Sequence, residues 1–192
     1  MAKEKYSYIK KYLEDSADVA RNQIHLIEDF LEIAEICKNS LIEGNTIFFC
    51  GNGGSASDAQ HLAAELVGRF KINRAPLKAI SLTTDTSIIT AISNDFGYEK
   101  IFVKQLEALS NKGDILIAIS TSGESPSILN AVEFANKNEL ISVGFTNNEK
   151  NSLAQKSKYK IQIPSNETGI VQQGHITFGQ LLCFYLEKEI FG

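Results

Sequence analysis

No stretch of these 192 residues approaches the roughly 20 consecutive apolar positions that a membrane-spanning helix requires, so no bilayer partner is expected. Cysteine is scarce. Cys37, Cys50 and Cys183 stand far apart with no C-x-x-C pair, which fits neither a disulfide framework nor a thiolate zinc site and predicts small buried apolar residues instead. Neither sign of charge dominates: the formal net charge is −4, with acids and bases interspersed. That leaves no basic field for direct nucleic-acid binding and no polybasic segment for a lipid surface. Repeats, low-complexity tracts and linkers are also missing, and 192 residues, 43% hydrophobic and 22% charged, are suited to one domain with a full core. Met1 to Lys11 is basic but leads into a polar, helix-periodic stretch, not an apolar core with a small-residue cleavage site. No export signal is expected, and the reading is cytoplasmic.

What is present is periodic. From about Tyr6 to Glu43, Leu13, Ala17, Ala20, Ile24, Ile27, Leu31 and Ala34 recur at spacings of four and three, with no Gly or Pro between. The pattern predicts one long helix, and a seam this regular suits packing on another subunit as well as folding onto the chain's own core, the first being preferred. The chain therefore divides into an N-terminal oligomerisation helix (1–43) and an α/β core (44–192). In the core, Thr46–Cys50, Leu77–Leu82, Ile115–Ile119, Ile141–Phe145 and Lys160–Ile163 are near-continuous apolar runs, the mark of parallel strands covered on both faces. The segments between them are long enough for crossover helices, predicted at about Ala56–Phe70, Tyr98–Asn111, Pro126–Asn138 and Thr168–Ile190.

Ligands of open parallel sheets bind outside the carboxyl ends of the strands, so the loops after Cys50, Leu82 and Ile119 carry the information. In Gly51-Asn52-Gly53-Gly54-Ser55 the glycines let the backbone approach an anion at the start of a helix. The spacing differs from G-x-G-x-x-G, and the lysine of a P-loop is missing. Ser120-Thr121-Ser122-Gly123-Glu124-Ser125 offers four hydroxyls ahead of the helix start Ser125-Pro126. Helix capping alone accounts for one such loop, but two of them on one sheet favour a shared phosphate. His61 and Glu65 stand four apart on a predicted helix, hence on one face; spacing alone favours a surface histidine beside a solvated carboxylate over a pair sharing a zinc ion.

The segments FFCGNGGSASDAQHLAAEL (48–66), TTDTS (83–87), NDFG (94–97) and ISTSGES (119–125) resemble the bacterial phosphoheptose isomerases of the sugar isomerase (SIS) family, over about residues 10–190. The motifs are shared with a paralogue that associates with the bacterial replication initiator. The resemblance implies a single SIS domain, a five-stranded parallel sheet of flavodoxin-like order flanked by helices, in a homotetramer with one zinc ion per subunit. The implied reaction converts sedoheptulose 7-phosphate to D-glycero-D-manno-heptose 7-phosphate, in heptose biosynthesis for lipopolysaccharide or other surface glycans. It assigns the sugar phosphate to Asn52, Gly53, Gly54, Ser55, Glu65, Asn94, Asp95, Ser120, Thr121, Ser122, Ser125 and Gln172. It assigns zinc to His61, Glu65, Gln172 and position 180, and proton transfer to Glu65 and position 180.

Here the sequence departs from the family. The enzymes usually read R-I-Q-E-x-H-x-x-x-x-H; aligned on Gln172 and His175, the arginine position is Ile170 and the second histidine is Gln180. An amide offers a carbonyl oxygen but accepts no proton near neutral pH and is a poorer zinc ligand than imidazole. His175 lies about 140° round an ideal helix from Gln180 and is expected to pack or hydrogen-bond locally; His25 is expected to be structural. The competing reading is a non-catalytic sugar-phosphate-binding regulator that binds the replication initiator.

Overall fold

The structure, a computed structural model, describes residues 2–192; Met1, where the expected 1–43 segment begins, lies outside the described residues. The N-terminal rod is α1 (Ala2–Asn22) and α2 (Ile27–Ile42), joined by a 3₁₀ turn over Gln23–Leu26 on which His25 is exposed. Its periodic apolar residues divide between two faces. Phe30, Ile33, Ala34 and Cys37 are buried on the chain's own core, whereas Leu13 and Ile24 remain 64% and 65% exposed and Ile27 and Leu31 are also open.

The sheet contains β1 (Ile47–Gly51), β2 (Ala79–Ser81), β3 (Ile115–Ile119), β4 (Ile141–Asn147) and β5 (Tyr159–Ile163), all parallel, in the order β2-β1-β3-β4-β5. This is the flavodoxin-like order, and its switch point lies between β1 and β3. The register sets Gly51 beside Ile119, and Ile119 beside Phe145, so the loops leaving β1 and β3 start level with each other. Alternate strand residues feed two cores. Ile47, Phe49, Ile115, Ile117 and Ile119 pack under α2, α3 (Gly54–Val67) and α8 (Thr168–Phe191). Phe48, Cys50, Leu116 and Ala118 pack on the other face under α5 (Val103–Leu109) and α6 (Pro126–Lys137). Both faces being dry, the strands read as unbroken apolar runs. All three cysteines are buried as free thiols; burial pushes Cys37 and Cys183 up to about 12 and Cys50 higher still, so they are inert.

Two helices escape the sequence pattern: α4 (Thr86–Phe96) and the short α7 (Ser152–Lys156). Asp85 starts α4 by accepting a hydrogen bond from Ile88 N at 2.9 Å, and Gly97, with φ of +92°, ends it in a conformation that costs other residues more. The expected helix over Tyr98–Asn111 is correspondingly split into a 3₁₀ turn (Tyr98–Lys100) and α5.

Helices α3 and α8 run side by side in the same direction, with Gln172 beside Gly54, Gly179 beside Leu62 and Glu187 beside Phe70. At their far end the buried Glu187 carboxylate accepts from the N–H groups of Phe70, Lys71 and Ile72 and pairs with buried Arg74. Burial alone would raise its pKa, but these donors outweigh it and hold the carboxyl below its ordinary range. Arg74 in turn donates to the carbonyls of Glu65 and Leu66, closing the C-terminus of α3 with a positive charge. No helix among the described residues is long and apolar enough to cross a membrane.

Candidate active site

The two predicted loops meet. A cavity of about 120 Å³ at the switch point is lined by Asn52 and Ser55 from the first loop, by Ser120, Thr121, Ser122 and Ser125 from the second, and by Gln172 of α8, with Ile119 at its base. None of these side chains is ionisable. An anion held here is met by hydroxyls, amides and the positive ends of the α3 and α6 dipoles, while Ser55 N, Ala56 N and Ile128 N already donate to the carbonyls of Asn52, Gly53 and Ser125.

The hydroxyls are oriented by the loop itself. Ser120 Oγ accepts from Gly123 N at 3.1 Å and Ser122 Oγ from Glu124 N at 3.3 Å, and the two hydroxyls stand 3.5 Å apart, so one can donate to the other while the second O–H turns to a ligand. Ser125 sits at the cap position of α6 but makes no side-chain capping bond. Its hydroxyl lines the cavity instead, so capping does not account for Ser125. Gly53 and Gly54 form the turn into α3. A Cβ at Gly54 would stand 2.5 Å from Gln172 Nε2, so any side chain there displaces that amide from the cavity. The third loop does not line the cavity, since Thr83 is tied to α3 through Gln60 and Ala56.

The remaining expected residues are distributed around this centre. On α3 the imidazole Nε2 of His61 is 3.0 Å from Oε1 of Glu65, as the four-residue spacing predicted. Gln172 belongs to the phosphate-sized cavity, whereas Gln180 lines a separate groove of about 230 Å³ with Phe70, Lys71, Thr177, Leu181 and Phe184. Among the described residues no three His, Cys, Asp or Glu side chains converge as a metal site. The donor set expected for zinc is thus one imidazole, one carboxylate and two amide oxygens. In number and donor chemistry the set suits a four-coordinate ion, with the amides as the weak half, while Gln172 and Gln180 line separate recesses. Asn94 and Asp95 lie exposed in the last turn of α4, hydrogen-bonded to each other at 2.8 Å. Ile170, at the family's arginine position, is buried.

Tyr98 and Asp58 were not anticipated in these places, whereas His175 was. Tyr98, just past the NDFG motif, donates its hydroxyl to Asn52 Oδ1 at 2.8 Å. Asp58, half-buried three residues before His61, has an Oδ2 without a hydrogen-bond partner among the described residues; burial pushes its carboxyl up to about 6, against the pull of His61. His175 is fully buried against Phe145, with no hydrogen bond to either ring nitrogen among the described residues. It packs locally, as expected.

Comparisons with known proteins agree with this geometry. The SIS domain family matches residues 8–147. The phosphoheptose isomerase of Akkermansia muciniphila is 43% identical over 96% of this chain and 98% of its own length. Among solved structures, phosphoheptose isomerase from Neisseria gonorrhoeae superposes with a TM-score of 0.90 at 33% identity, covering 95% of this chain and 98% of that one. The enzyme from Francisella tularensis gives 0.92 at 32% identity, covering 96% and 98%.

Proposed function

This chain belongs to the SIS domain family, among the phosphoheptose isomerases, and we propose that it interconverts sedoheptulose 7-phosphate and D-glycero-D-manno-heptose 7-phosphate, supplying heptose for lipopolysaccharide or another surface glycan in the cytoplasm. The observation that carries the reading is the hydroxyl-lined cavity at the switch point, with two helix N-termini and no ionisable side chain in its lining. Such a lining suits a phosphate whose charge is offset by oriented dipoles.

With the phosphate fixed there, the sugar extends towards α3 and α4. Asn94 and Asp95 contact its hydroxyls. The Glu65 carboxylate takes the proton from C1 of the ketose while O2 gains one, giving the enediol. Return of the proton to C2 and loss of the O1 proton completes the aldose, so atoms and charge balance. His61 holds the Glu65 carboxylate by the 3.0 Å contact. Zinc would be held by His61 and Glu65 with the amide oxygens of Gln172 and Gln180, and when bound it polarises the carbonyl. The exposed stripe of Leu13, Ile24, Ile27 and Leu31 is the surface for further copies in a homotetramer; a monomer in light scattering at micromolar concentration would contradict it.

The test is proton exchange at C1 of sedoheptulose 7-phosphate in deuterated water with zinc supplied. Loss of the C1 proton signal accompanied by aldose formation supports the isomerase. Gln180 favours a second reading, a sugar-phosphate-binding regulator acting on the replication initiator, because its groove holds no proton acceptor at neutral pH. Phosphate binding without any exchange, together with capture of the initiator, would establish that reading instead.

The cavity makes a separate prediction. Gly54→Ala puts a methyl group against the Gln172 amide, a flexible side-chain end that swings away, so the fold survives and the cavity loses a donor. Inorganic phosphate affinity is expected to fall about tenfold, on the scale of one hydrogen bond to a charged group, with the thermal midpoint near wild type. Unchanged affinity in isothermal titration would remove Gln172 from the anion site.

A further inference from the structure

We propose that Tyr98 is a positioning residue for the phosphate, acting through Asn52; the proposal rests on the sugar-phosphate reading of the cavity above. Its hydroxyl donates to Asn52 Oδ1 at 2.8 Å, and Asn52 Nδ2 donates to Ser127 Oγ at 3.0 Å. A primary amide has two N–H donors and one carbonyl oxygen. Tyr98 therefore occupies the oxygen and Ser127 one of the protons, which leaves the second N–H of a cavity-lining amide as the group free to meet an anion. The arrangement also keeps Oδ1 turned towards Tyr98. An Asn52 amide rotated the other way would present a carbonyl oxygen to phosphate oxygens, which repel it.

The position of Tyr98 in the fold supports an organising role over a packing one. Its side chain is half-exposed, at 51%, so its ring contributes little core burial. It begins the 3₁₀ turn directly after Gly97, where α4 stops, and Asn94 and Asp95 occupy the last turn of that helix. The hydrogen bond to Asn52 spans 46 residues of sequence and ties the end of α4 to the first phosphate loop. Tyr98 thereby fixes both the direction of one phosphate donor and the distance between the phosphate anchor and the pair assigned to the sugar hydroxyls.

The experiment is a double-mutant cycle on the full chain with Tyr98→Phe, Asn52→Ala and the double variant. It reads inorganic phosphate affinity by titration calorimetry and KM and kcat for sedoheptulose 7-phosphate. Tyr98→Phe is expected to weaken phosphate binding and raise KM about fivefold, the scale of one net hydrogen bond, with kcat within twofold and the thermal midpoint unchanged. In the Asn52→Ala background the same substitution should change neither quantity. Unaltered phosphate affinity in Tyr98→Phe overturns the proposal, as does an equal loss with or without Asn52. Should wild type show no turnover, the isomerase reading falls while the calorimetric cycle still decides the role of Tyr98.

Discussion

On the proposed isomerase reading, Glu65→Gln is expected to lower exchange of the C1 proton of sedoheptulose 7-phosphate by about 10³-fold, the usual scale for losing a positioned general base. The substitution is close to isosteric, so the loss reports chemistry. Glutamine keeps an oxygen for His61 at the 3.0 Å contact, and Arg74 holds the Glu65 carbonyl, not its side chain. The α3 helix and the loop beyond it should therefore stand as before. The phosphate cavity contains no part of Glu65, so inorganic phosphate affinity should stay within about twofold of wild type. The variant removes a proton acceptor and also turns the carboxylate of the proposed zinc set into an amide, so zinc content equal to wild type is the control that assigns the loss to proton transfer. Persistent exchange in Glu65→Gln would transfer the base role elsewhere, with half-buried Asp58 on the same helix the next carboxylate to test.

The companion variant Gln180→His asks what the departure from the family pattern costs. Position 180 opens on a groove beside Phe70 and Lys71 with room for an imidazole. A gain of about 10²-fold or more, the usual range for an added acid–base group, would mean that wild type works with one proton-transfer group fewer than position 180 can supply. Activity appearing only in Gln180→His would mean that the scaffold binds sugar phosphate but has lost the chemistry.

The sheet and the phosphate loops were legible because each rests on a short-range pattern. Phe48 and Phe49 point to opposite cores, so β1 reads as a continuous apolar run, and parallel order then brings the ends of β1 and β3 together. His61 and Glu65 were legible for the same reason, since helical spacing alone puts them side by side. Helix α4 was not. Its Ile88, Ile89, Thr90 and Ile92 are β-branched, which suits strands as well as helices, and although Ile89 and Ile92 pack on the second core none of its residues is fully buried. The surroundings of Gln180 were hidden by a different cause. Helix α8 is buried on several sides, from Ile170 and Val171 to Leu186 and Glu187, and such a helix has no polar face from which to read its rotation. Tyr98 was invisible because its partner, Asn52, lies 46 residues away and the contact is a single hydroxyl.

His175 gives the largest expected effect on stability, and its sign follows from burial. The imidazole is fully enclosed beside Phe145, and burial lowers its pKa from 6.5 to about 4, the backbone of Thr146 pulling weakly the other way. Between those values the unfolded chain takes up a proton that the native chain refuses. Stability from the neutral ring is thus complete above pH 6.5 and is lost as pH falls towards 4. At about 1.4 kcal/mol per pH unit the gap amounts to about 3 kcal/mol. Asp58 works in the opposite direction. Its carboxyl, raised from 3.8 to about 6, favours the native state below pH 3.8 and loses that contribution as pH rises through 6, by an amount that partial exposure to water reduces. The wild-type profile alone therefore understates His175. Urea unfolding of wild type and His175→Gln across this range separates the two, because Asp58 is common to both and any packing defect is a constant offset. The stability of wild type relative to the variant should drop by about 3 kcal/mol from pH 6.5 to pH 4. A constant difference would show that the ring is protonated equally in both states, and so is not sealed against Phe145 as the fold places it.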